Sequence, residues 1–483
     1  MTDCEGVSAM TDCEGVSGVT DNDPDMNPEP APSENPPVRR LGEWDATLLR
    51  SLESAYGSPL YVLDLDRVRE NYRRLERAFP EGEVMYAVKA NALGGVLETL
   101  LDVGAGLECA SAGEVWRALD AGAPGSAVHY TAVNPPDRDL DLVVEAWESN
   151  PALTVTAGAS DTIDRLAERG YDGRLCLRIN PGIGAGHHEK VMTGGDATFG
   201  APADRAVELL VDADERGFDV VGIHAHVGSG VSNDQLASHR KFVARVGDVA
   251  REVTEALGGL EFVDVGGGFG VPYRDEEEPL DLARVARATR DALGRVDATL
   301  VVEPGRYLVA DAGVLLTRVN TVKPTAETTV VGVDAGMTTL ARPAIYDAYH
   351  AIRNLAADAS DGPEADASDR PTIPQTVTGP ICESSDVFCV DRDLPESRRG
   401  DVLAIGNAGA YGYEMASQYN SRPRPASIVL EGGEDRLSRR RETVEDVVRV
   451  EVEAARDADS TEGGTDRSPG AIDRETSNIG GNP

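Results

Sequence analysis

The chain has 483 residues, of which 41% are hydrophobic and 5% aromatic, and its 46 basic and 84 acidic side chains give a formal charge of −38. This composition excludes a wholly disordered chain and supports a large buried core. A surface this acidic repels phosphate groups, which argues against nucleic acid or an anionic membrane as a partner. Only four residues are lysines, and we interpret the excess of carboxylates as a halophilic adaptation to a salt-rich cytosol, where salt screens the repulsion between charges.

Both ends of the chain are predicted to lie outside the folded domains. The octapeptide MTDCEGVS occurs at 1–8 and again at 10–17, and an acidic, proline-rich run follows, so we expect a disordered arm over 1–37. Residues 432–483 are expected to form an acidic, mostly disordered tail that contains one helix over VEDVVRVEVEAA. The sequence has no secretory signal pattern, no uncharged apolar run that could span a membrane and no CxxC pair, which predicts a cytoplasmic protein without a disulfide scaffold or zinc ribbon.

Between 57 and 307, eight short apolar runs alternate with amphipathic helical patterns. Strands that are apolar on both faces and separated by helices are typical of a parallel α/β fold, and eight repeats favour a closed (β/α)8 TIM barrel. The runs are VMYAV near 84, LEC near 107, AVHYTAV near 127, LTVTA near 153, LCLRI near 175, VVGIHAHV near 220, FVDV near 262 and TLVVE near 299.

Strand-like runs without intervening helices follow the barrel. They predict a C-terminal β domain, a β-sandwich or β-barrel, over 308–431. Within it, the biased stretch at 356–371 is expected to be a surface loop. The segment 38–56 is expected to pack with this second domain.

A lysine ends the first predicted barrel strand, in the motif YAVKAN that contains Lys89. In a parallel barrel all strand ends meet on one face, so the catalytic groups are expected there. A lysine at this position can have a depressed pKa and act as a Schiff-base nucleophile, and the alternative is a lysine on the barrel rim. Because the chain contains so few lysines, the composition favours the functional interpretation.

Two glycine-rich turns follow other predicted strands. In HAHVGSG, His224 and His226 have the spacing of a metal pair, but no third ligand has an evident spacing. The turn also suits a phosphate, with a histidine ring packed on a flat cofactor, and the alternative is a pair of structural histidines after a buried strand. The turn GGGFG at 266–270 lacks the dinucleotide spacing GxGxxG, yet both turns together predict one phosphate site on the barrel face.

The last barrel strand ends in the motif EPGR, which begins at Glu303 and ends at Arg306. A carboxylate at the barrel mouth can hold a protonated ring nitrogen by a charge-assisted hydrogen bond. The alternative is an ion pair between Glu303 and Arg306 at the domain junction.

Seven motifs occur along the chain in the order found in one enzyme family. They are YAVKAN, HAHVGSG, GGGFG, EPGR, ARPAIYDAYH (341–350), GPICESSD (379–386) and AGAYGYEMASQYNSRPRP (408–425). From about 42 to 431 the chain thereby resembles the diaminopimelate decarboxylases, a branch of the fold-type-III, alanine-racemase-like decarboxylases that use pyridoxal 5′-phosphate (PLP). The resemblance implies a carboxy-lyase that converts meso-2,6-diaminopimelate to L-lysine and CO2, the last step of lysine biosynthesis by this route. It also implies PLP as the cofactor, no metal, and a homodimer with shared active sites.

The resemblance further implies a role for each motif residue. Lys89 would form the Schiff base with PLP, His226 would stack on the ring, and Glu303 would pair with the ring nitrogen. The PLP phosphate would be held by Gly228, Ser229, Gly266, Gly267, Gly268 and the backbone of Glu303, Pro304, Gly305 and Arg306. The distal carboxylate of the substrate would bind Arg306, Arg342 and Tyr346, and its distal amine would bind Glu383. Cys382 would protonate the carbanion after CO2 leaves, and Tyr411 would contact both phosphate and substrate. Cys382 and Glu383 would come from the partner subunit.

Two other functions share part of this pattern. An ornithine or arginine decarboxylase would share the cofactor residues and Cys382, but its substrate has no distal anion for Arg342, and burying an unpaired guanidinium costs several kcal/mol. A non-catalytic PLP-binding protein of this fold consists of the barrel alone, so a second domain with Cys382 and Tyr411 argues against it. Taken singly, Cys382 could be a small core residue and Arg342 a partner in a surface ion pair.

Overall fold

The computed structural model describes residues 36–183, 199–357 and 370–461, and from Pro37 onward they form one compact unit. The predicted arm up to residue 35, most of the predicted loop at 356–371 and the end of the predicted tail lie outside these ranges.

The first regular elements are helix α1, Ala46–Tyr56, and strand β1, Leu60–Asp64. Asp45 begins the helix, because its carboxylate accepts hydrogen bonds from the backbone N–H groups of Thr47 and Leu48. Gly57 ends the helix with a φ of 76°, a conformation that suits glycine. All but the last residue of β1 are buried.

Eight parallel strands form a closed barrel. Their bounds are β2 Gly82–Ala87, β3 Gly106–Cys109, β4 Val128–Tyr130, β5 Thr154–Ala157, β6 Arg174–Asn180, β8 Asp219–His224, β9 Phe262–Asp264 and β10 Thr299–Val302. The short β7, Ala201–Pro202, adds only to β6. Around the barrel the order is β5, β4, β3, β2, β10, β9, β8, β6, and the pairing of β5 with β6 closes it. The predicted TIM barrel is confirmed, since each of the eight apolar runs overlaps one strand of the closed sheet.

Helices connect the barrel strands and pack on them through one apolar face. Their bounds are α2 Leu65–Ala78, α3 Gly94–Asp102, α4 Ala112–Asp120, α5 Asp137–Ser149, α6 Ser160–Glu168, α7 Ala206–Glu215, α8 Leu236–Leu257, α9 Leu282–Leu293 and α10 Arg306–Val309. In α8, for example, Phe242, Val246, Val249 and Val253 recur at the helical spacing and are all buried. Within the three described ranges we find no helix with the length and apolar character of a membrane span.

The inside of the barrel is filled by side chains. Met85, Cys176, Val221, Phe262 and Val301 come from five different strands and form a buried cluster. Such packing makes the middle of the barrel a hydrophobic core. Groups that act on a ligand must therefore lie at the ends of the strands.

The second domain is built on a nine-stranded mixed sheet. Its later elements are β11 Gly313–Pro324, β12 Thr329–Val333, α11 Arg342–Tyr346, β13 Ile352–Asn354, β14 Thr372–Thr378, β15 Val387–Pro395, β16 Val402–Ile405, β17 Ala426–Glu431, β18 Glu434–Arg439 and α12 Val444–Thr461. The long β11 joins the two halves of the sheet: its first part pairs with β1 and β16, and its second part pairs with β12. A predominantly β second domain is thus present, as the sequence predicts.

Two predicted boundaries need correction. Strand β1 lies within the predicted barrel segment 57–307, but it pairs with β11 and β17 and belongs to the second sheet. Strand β18 lies within the predicted disordered tail, but it forms a hairpin with β17 and extends the sheet beyond residue 431. The helix predicted in that tail is present as α12.

The chain passes between the domains at two adjacent points, after β1 and before β11. There the buried guanidinium of Arg67 on α2 lies 2.7 Å from the carboxylate of Asp311, which precedes β11. Asn71 donates a second hydrogen bond, of 2.8 Å, to the same carboxylate. These bonds join the start of the barrel segment to its end.

Candidate active site

The predicted polar groups meet at the carboxyl ends of the barrel strands. Lys89 lies in a single 3-10 turn after β2, and Glu303 follows β10. His224 ends β8, His226 follows two residues later, and Asp264 ends β9. Because parallel strands present these ends on one face, residues more than 200 positions apart in sequence become neighbours.

Lys89 forms an ion pair that the sequence analysis did not predict. Its Nζ lies 2.5 Å from Oε2 of Glu108, the third residue of β3, and the Glu108 side chain is only 1% exposed. Burial lowers the pKa of Lys89, but the negative charges of Glu108 and Glu303 outweigh burial, so the pKa is raised. The expected depressed pKa is therefore wrong for the protein without a bound ligand, and the reason is the carboxylate beside the amine.

Glu303 is the centre of a buried hydrogen-bonding group. Its Oε2 lies 3.1 Å from Nε2 of His224, which places the imidazole proton on that nitrogen. Burial raises the pKa of Glu303, but His224 and Lys89 lower it further than burial raises it, so Glu303 is ionised. Burial and the charge of Glu303 raise the pKa of the neighbouring Asp264.

The structure brings His224 together with two carboxylates and not with His226. The ligand atoms of His224, Asp264 and Glu303 all lie within 4.8 Å of one another, so these three side chains could hold a metal ion. His226 is not part of that group. His224 hydrogen-bonds Glu303. We interpret the cluster as a set of side chains that orients the Glu303 carboxylate and keeps it ionised.

The ring of His226 is fixed by the second glycine turn. The backbone N–H of Gly267 donates a 3.1 Å hydrogen bond to its Nδ1. Burial, aided by the charges of Arg178 and Lys89, lowers the pKa of His226 to about 3, so its ring is neutral near neutral pH. A neutral, immobilised ring offers a flat surface on which an aromatic ligand can stack.

The two glycine turns are in direct contact. The backbone N–H of Val231 donates to the carbonyl of Gly268 at 2.7 Å, and that of Gly270 donates to the carbonyl of Val231 at 3.1 Å. Gly267 is required by this packing, because a Cβ atom there would lie 2.2 Å from the carbonyl oxygen of Glu303. Arg306 adds a third element, since its Nη2 donates to Oγ of Ser229 at 3.2 Å. The two glycine turns and the EPGR segment are thus in contact at this face of the barrel.

A cavity of about 820 Å³ opens beside these turns. Arg306, Arg342 and Tyr346, the three residues expected to bind a distal carboxylate, all line it. Arg306 is 8% exposed and Arg342 is 3% exposed. The two alternatives, a surface ion pair of Arg342 and an Arg306–Glu303 pair, are not found among the described residues: the hydrogen bonds of both guanidinium groups go to hydroxyl groups and to an imidazole.

Tyr411 brings the second domain to the barrel mouth. Its backbone N–H donates a 2.8 Å hydrogen bond to the carbonyl of Ala90, next to Lys89. The guanidinium of Arg306 lies 4.9 Å from the centre of its ring. Tyr411 adopts a φ of 55°, which is uncommon for a residue other than glycine.

Cys382 and Glu383 lie in a loop of the second domain. Both are exposed in the loop between β14 and β15, and neither lines the cavity. Oε1 of Glu383 accepts a 2.5 Å hydrogen bond from the hydroxyl of Tyr419, and Nδ2 of Asn420 lies 3.5 Å from Sγ of Cys382. Cys382 is therefore not the small core residue considered as an alternative. Among the described residues, the contacts found for these two side chains are with Tyr419 and Asn420 and not with residues of the cavity wall.

Three site residues were missed in the sequence analysis. Glu108 had a visible signal, a carboxylate inside an apolar strand of three letters, LEC. Asp264 appeared in a quoted motif but received no role. Tyr273, three residues after the GGGFG turn, accepts hydrogen bonds from both Arg306 and Arg342 and had no local signal.

One observation that does not depend on the sequence motifs indicates that the site can bind the ring of PLP. Oε1 of Glu303 is buried and has no hydrogen-bond partner among the described residues. An ionised buried oxygen of this kind is unfavourable unless a donor completes it, and a protonated ring nitrogen is such a donor. Lys89, the flat ring of His226 and the joined glycine turns surround the same face.

Comparisons with known proteins agree with this geometry. The model of the family described as "Pyridoxal-dependent decarboxylase, pyridoxal binding domain" matches residues 65–310. The diaminopimelate decarboxylase of Methanothermobacter thermautotrophicus is 42% identical over 433 residues, which cover 86% of this chain and 96% of that protein. The corresponding protein of Aquifex aeolicus is 32% identical over 412 residues, with 83% and 93% covered.

A solved structure is similar over a comparable length. The crystal structure of diaminopimelate decarboxylase from Helicobacter pylori, complexed with L-lysine, has a TM-score of 0.76 and 34% sequence identity. The match covers 84% of this chain and 100% of that chain. The chain therefore belongs to the pyridoxal-dependent decarboxylases and, within them, to the diaminopimelate decarboxylase family.

Proposed function

We propose that this protein decarboxylates meso-2,6-diaminopimelate to L-lysine and CO2 with PLP as its cofactor. The observation that supports this substrate is the pair of buried arginines, Arg306 and Arg342, on the cavity wall. Among the residues that the structure describes, neither has a carboxylate partner, whereas the buried Arg67 is paired with Asp311. Two buried cations of this kind require an anionic ligand, because an uncompensated buried charge costs several kcal/mol.

The arginine pair argues against substrates that end in an amine or a guanidinium. Ornithine and arginine carry a positive group at the far end, which would face two cations instead of an anion. Diaminopimelate carries a carboxylate at each end. If Arg306 and Arg342 hold the far carboxylate, the near carboxylate is the one presented to the cofactor.

We assign the remaining steps to residues of the barrel face. PLP, when bound, supplies the sink for the electron pair that CO2 leaves behind. Lys89 would attach the cofactor at the end of β2, and His226 would support its ring. Glu303 would accept the ring-nitrogen proton, while His224 hydrogen-bonds Oε2 of the same carboxylate. The joined glycine turns and Ser229 would hold the phosphate.

The proton that replaces the lost carboxylate needs a donor, and we assign this role to Cys382. Cys382 and Glu383 are exposed and do not line the cavity of their own chain. We propose that they complete the cavity of a second copy, so that the working form is a homodimer with two shared sites. A proton-donating thiol must stay reduced, which suits a cytosolic location.

The function is tested by assaying three candidate substrates side by side. We expect L-lysine and CO2 in equal amounts from meso-diaminopimelate and no CO2 from ornithine or arginine. CO2 release from ornithine at a comparable kcat/KM would replace the proposed substrate. Binding of PLP without CO2 release from any of the three would instead indicate a non-catalytic PLP-binding protein.

Replacing Arg342 by alanine is expected to raise KM for meso-diaminopimelate by roughly 10- to 100-fold, the worth of a hydrogen bond to a charged group. The visible spectrum of bound PLP should not change, because Arg342 contacts Tyr273 and His350 and not the residues assigned to PLP. Steady-state kinetics and absorbance measure the two effects. Arg274→Ala is the matched control, since Arg274 lines the same cavity but is exposed and stacks on Tyr349. An unaltered KM in Arg342→Ala would remove Arg342 from the substrate site.

Lowering the salt concentration is expected to reduce activity and dimer content together. Each chain carries −38, so a dimer brings two strongly negative chains together. The Debye length is about 30 Å at 0.01 M salt and about 3 Å at 1 M, so repulsion between subunits is largely screened only at high salt. Light scattering and activity measured on one salt series test this. A fully active monomer at low salt would contradict the shared sites, and a stable active dimer there would contradict the electrostatic argument and the halophilic character.

A further inference from the structure

The hydroxyl oxygen of Tyr273 lies between the two arginines of the proposed substrate clamp. Nη1 of Arg306 donates to it at 2.6 Å, and Nη1 of Arg342 donates to it at 2.8 Å. The guanidinium of Arg342 also lies 4.9 Å from the centre of the Tyr273 ring. A single hydroxyl oxygen thus accepts from both buried cations, which otherwise repel each other. Burial raises the pKa of Tyr273, but the charges of Arg306 and Arg342 outweigh burial and lower it.

The position of this hydroxyl is fixed by the backbone around it. The carboxylate of Glu277 accepts a 2.7 Å hydrogen bond from the backbone N–H of Tyr273, and Nδ2 of Asn407 donates a 2.9 Å bond to the carbonyl of Pro272. The Tyr273 ring meets the imidazole of His350 edge to face, with 5.3 Å between ring centres. Tyr273 is therefore held from the barrel side and the second-domain side at once.

His350 completes the arrangement from the second domain. Its Nδ1 lies 2.8 Å from the carbonyl oxygen of Gly406, so this nitrogen carries the proton and Nε2 is an acceptor. Nε2 accepts from Nη1 of Arg342 at 3.0 Å. Burial, with the charge of Arg342, lowers the pKa of His350 to about 3, so the ring remains neutral.

Tyr273 and His350 together use both hydrogens of Nη1 of Arg342. The donors that remain on Arg342 are those of Nε and Nη2, which form one edge of the planar guanidinium. Such an edge matches the two oxygens of a carboxylate. These two acceptors therefore determine which edge of Arg342 is offered to a ligand.

We infer that Tyr273 is a positioning residue that sets the spacing and orientation of Arg306 and Arg342 for the distal carboxylate of the substrate. This inference rests on the proposed function, because it concerns the same cavity and the same substrate. Without the hydroxyl, the two guanidinium groups lose their common acceptor and separate. The cost falls on binding of the far carboxylate, which is equally bound before and during decarboxylation, so KM should change and kcat should not.

The test compares Tyr273→Phe with Tyr349→Phe in the full-length protein loaded with PLP. Tyr349 lines the same cavity, but its contacts are made by the ring, which lies between Arg274 and Arg392. We expect Tyr273→Phe to raise KM for meso-diaminopimelate about 10- to 100-fold, with kcat and the affinity for PLP within about 2-fold of the parent. Tyr349→Phe should leave all three unchanged. An unchanged KM in Tyr273→Phe, or a loss of PLP affinity in place of a KM effect, would overturn the inference.

A binding measurement separates this inference from the proposed function. L-lysine retains one carboxylate, whereas 1,5-diaminopentane has the same amines and none. By calorimetry, Tyr273→Phe should weaken L-lysine about 10-fold or more and leave 1,5-diaminopentane unchanged. Equal weakening of both ligands would indicate a general structural defect and would reject the positioning role. Because this measurement needs no turnover, it decides the role of Tyr273 even if the parent protein fails to decarboxylate diaminopimelate, which is the failure of the proposed function.

Discussion

Replacing Lys89 by alanine is expected to abolish both the visible absorbance of bound PLP and all measurable turnover. Lys89 ends a barrel strand and lies beside Glu303, whereas Lys241 and Lys323 are exposed on α8 and at the end of β11. Absorbance and L-lysine formation measure the effect. In the parent protein, borohydride reduction followed by peptide mapping should label Lys89. A label on another lysine would show that the assignment is wrong.

Two further variants separate chemistry from stability in this experiment. Lys89→Ala leaves the carboxylate of Glu108 buried without its 2.5 Å partner, so a fall in melting temperature is expected with it. Lys89→Arg keeps a cation beside Glu108, but a guanidinium is not deprotonated in proteins and cannot attach PLP. It should therefore be inactive and close to the parent in stability. Lys241→Ala should retain both absorbance and turnover.

Replacing Cys382 by alanine is expected to lower L-lysine formation by roughly 10²- to 10⁴-fold, the usual contribution of a positioned general acid. PLP binding should be unaffected, because the thiol is assigned a proton transfer after CO2 leaves and no part in holding the cofactor. Turnover and PLP titration measure the two effects. Ser384→Ala, an exposed change in the same loop, is the control and should be silent. Turnover in Cys382→Ala equal to that of the parent would remove the thiol from the reaction.

A mixing experiment tests whether Cys382 acts on the other subunit. Neither Lys89→Ala nor Cys382→Ala forms product alone at an appreciable rate if both assignments hold. Mixed dimers, however, contain one site with both an intact Lys89 and an intact Cys382 when the two residues come from different chains. About a quarter of the parent activity should then return on mixing equal amounts, if subunits exchange at random. No recovery, with subunit exchange verified by light scattering of tagged chains, would place both residues in one chain.

The barrel was predictable because its strands carry a local signal. Each of the eight runs is apolar on both faces and is followed by a helix, and no long-range information is needed to read that pattern. Strand β1 carries the same signal, LYVLD, yet it pairs with Ala426–Glu431 at the other end of the chain. Strand β18, EDRLSR, was not predicted because it is a mostly exposed edge strand. Such a strand needs no apolar residues, so its sequence resembles that of a disordered tail.

The residues of the candidate site also form two groups, those that a local motif predicts and those whose role depends on distant parts of the chain. Lys89, the glycine turns and Glu303 stand in motifs that can be read along the chain. The direction of the pKa shift of Lys89 could not be predicted from the sequence, because it depends on Glu108, which comes from another strand. Tyr273 could not be read either, because its importance arises only where a loop of the barrel meets Arg342 of the second domain. Such residues act through partners that are distant in sequence.

The position of β1 makes the barrel an insertion within the second domain. Residues 65–310 leave and re-enter the sheet between neighbouring strands, β1 and β11, and Arg67 and Asp311 join the two crossing points. While the barrel is folded, β1 and β11 are held side by side, and the entropy of closing a loop of that length has already been lost. If the barrel opens, the sheet loses that constraint, and if the sheet opens, the ends of the barrel segment separate. The two domains are therefore expected to unfold in a single cooperative transition, although each has its own core.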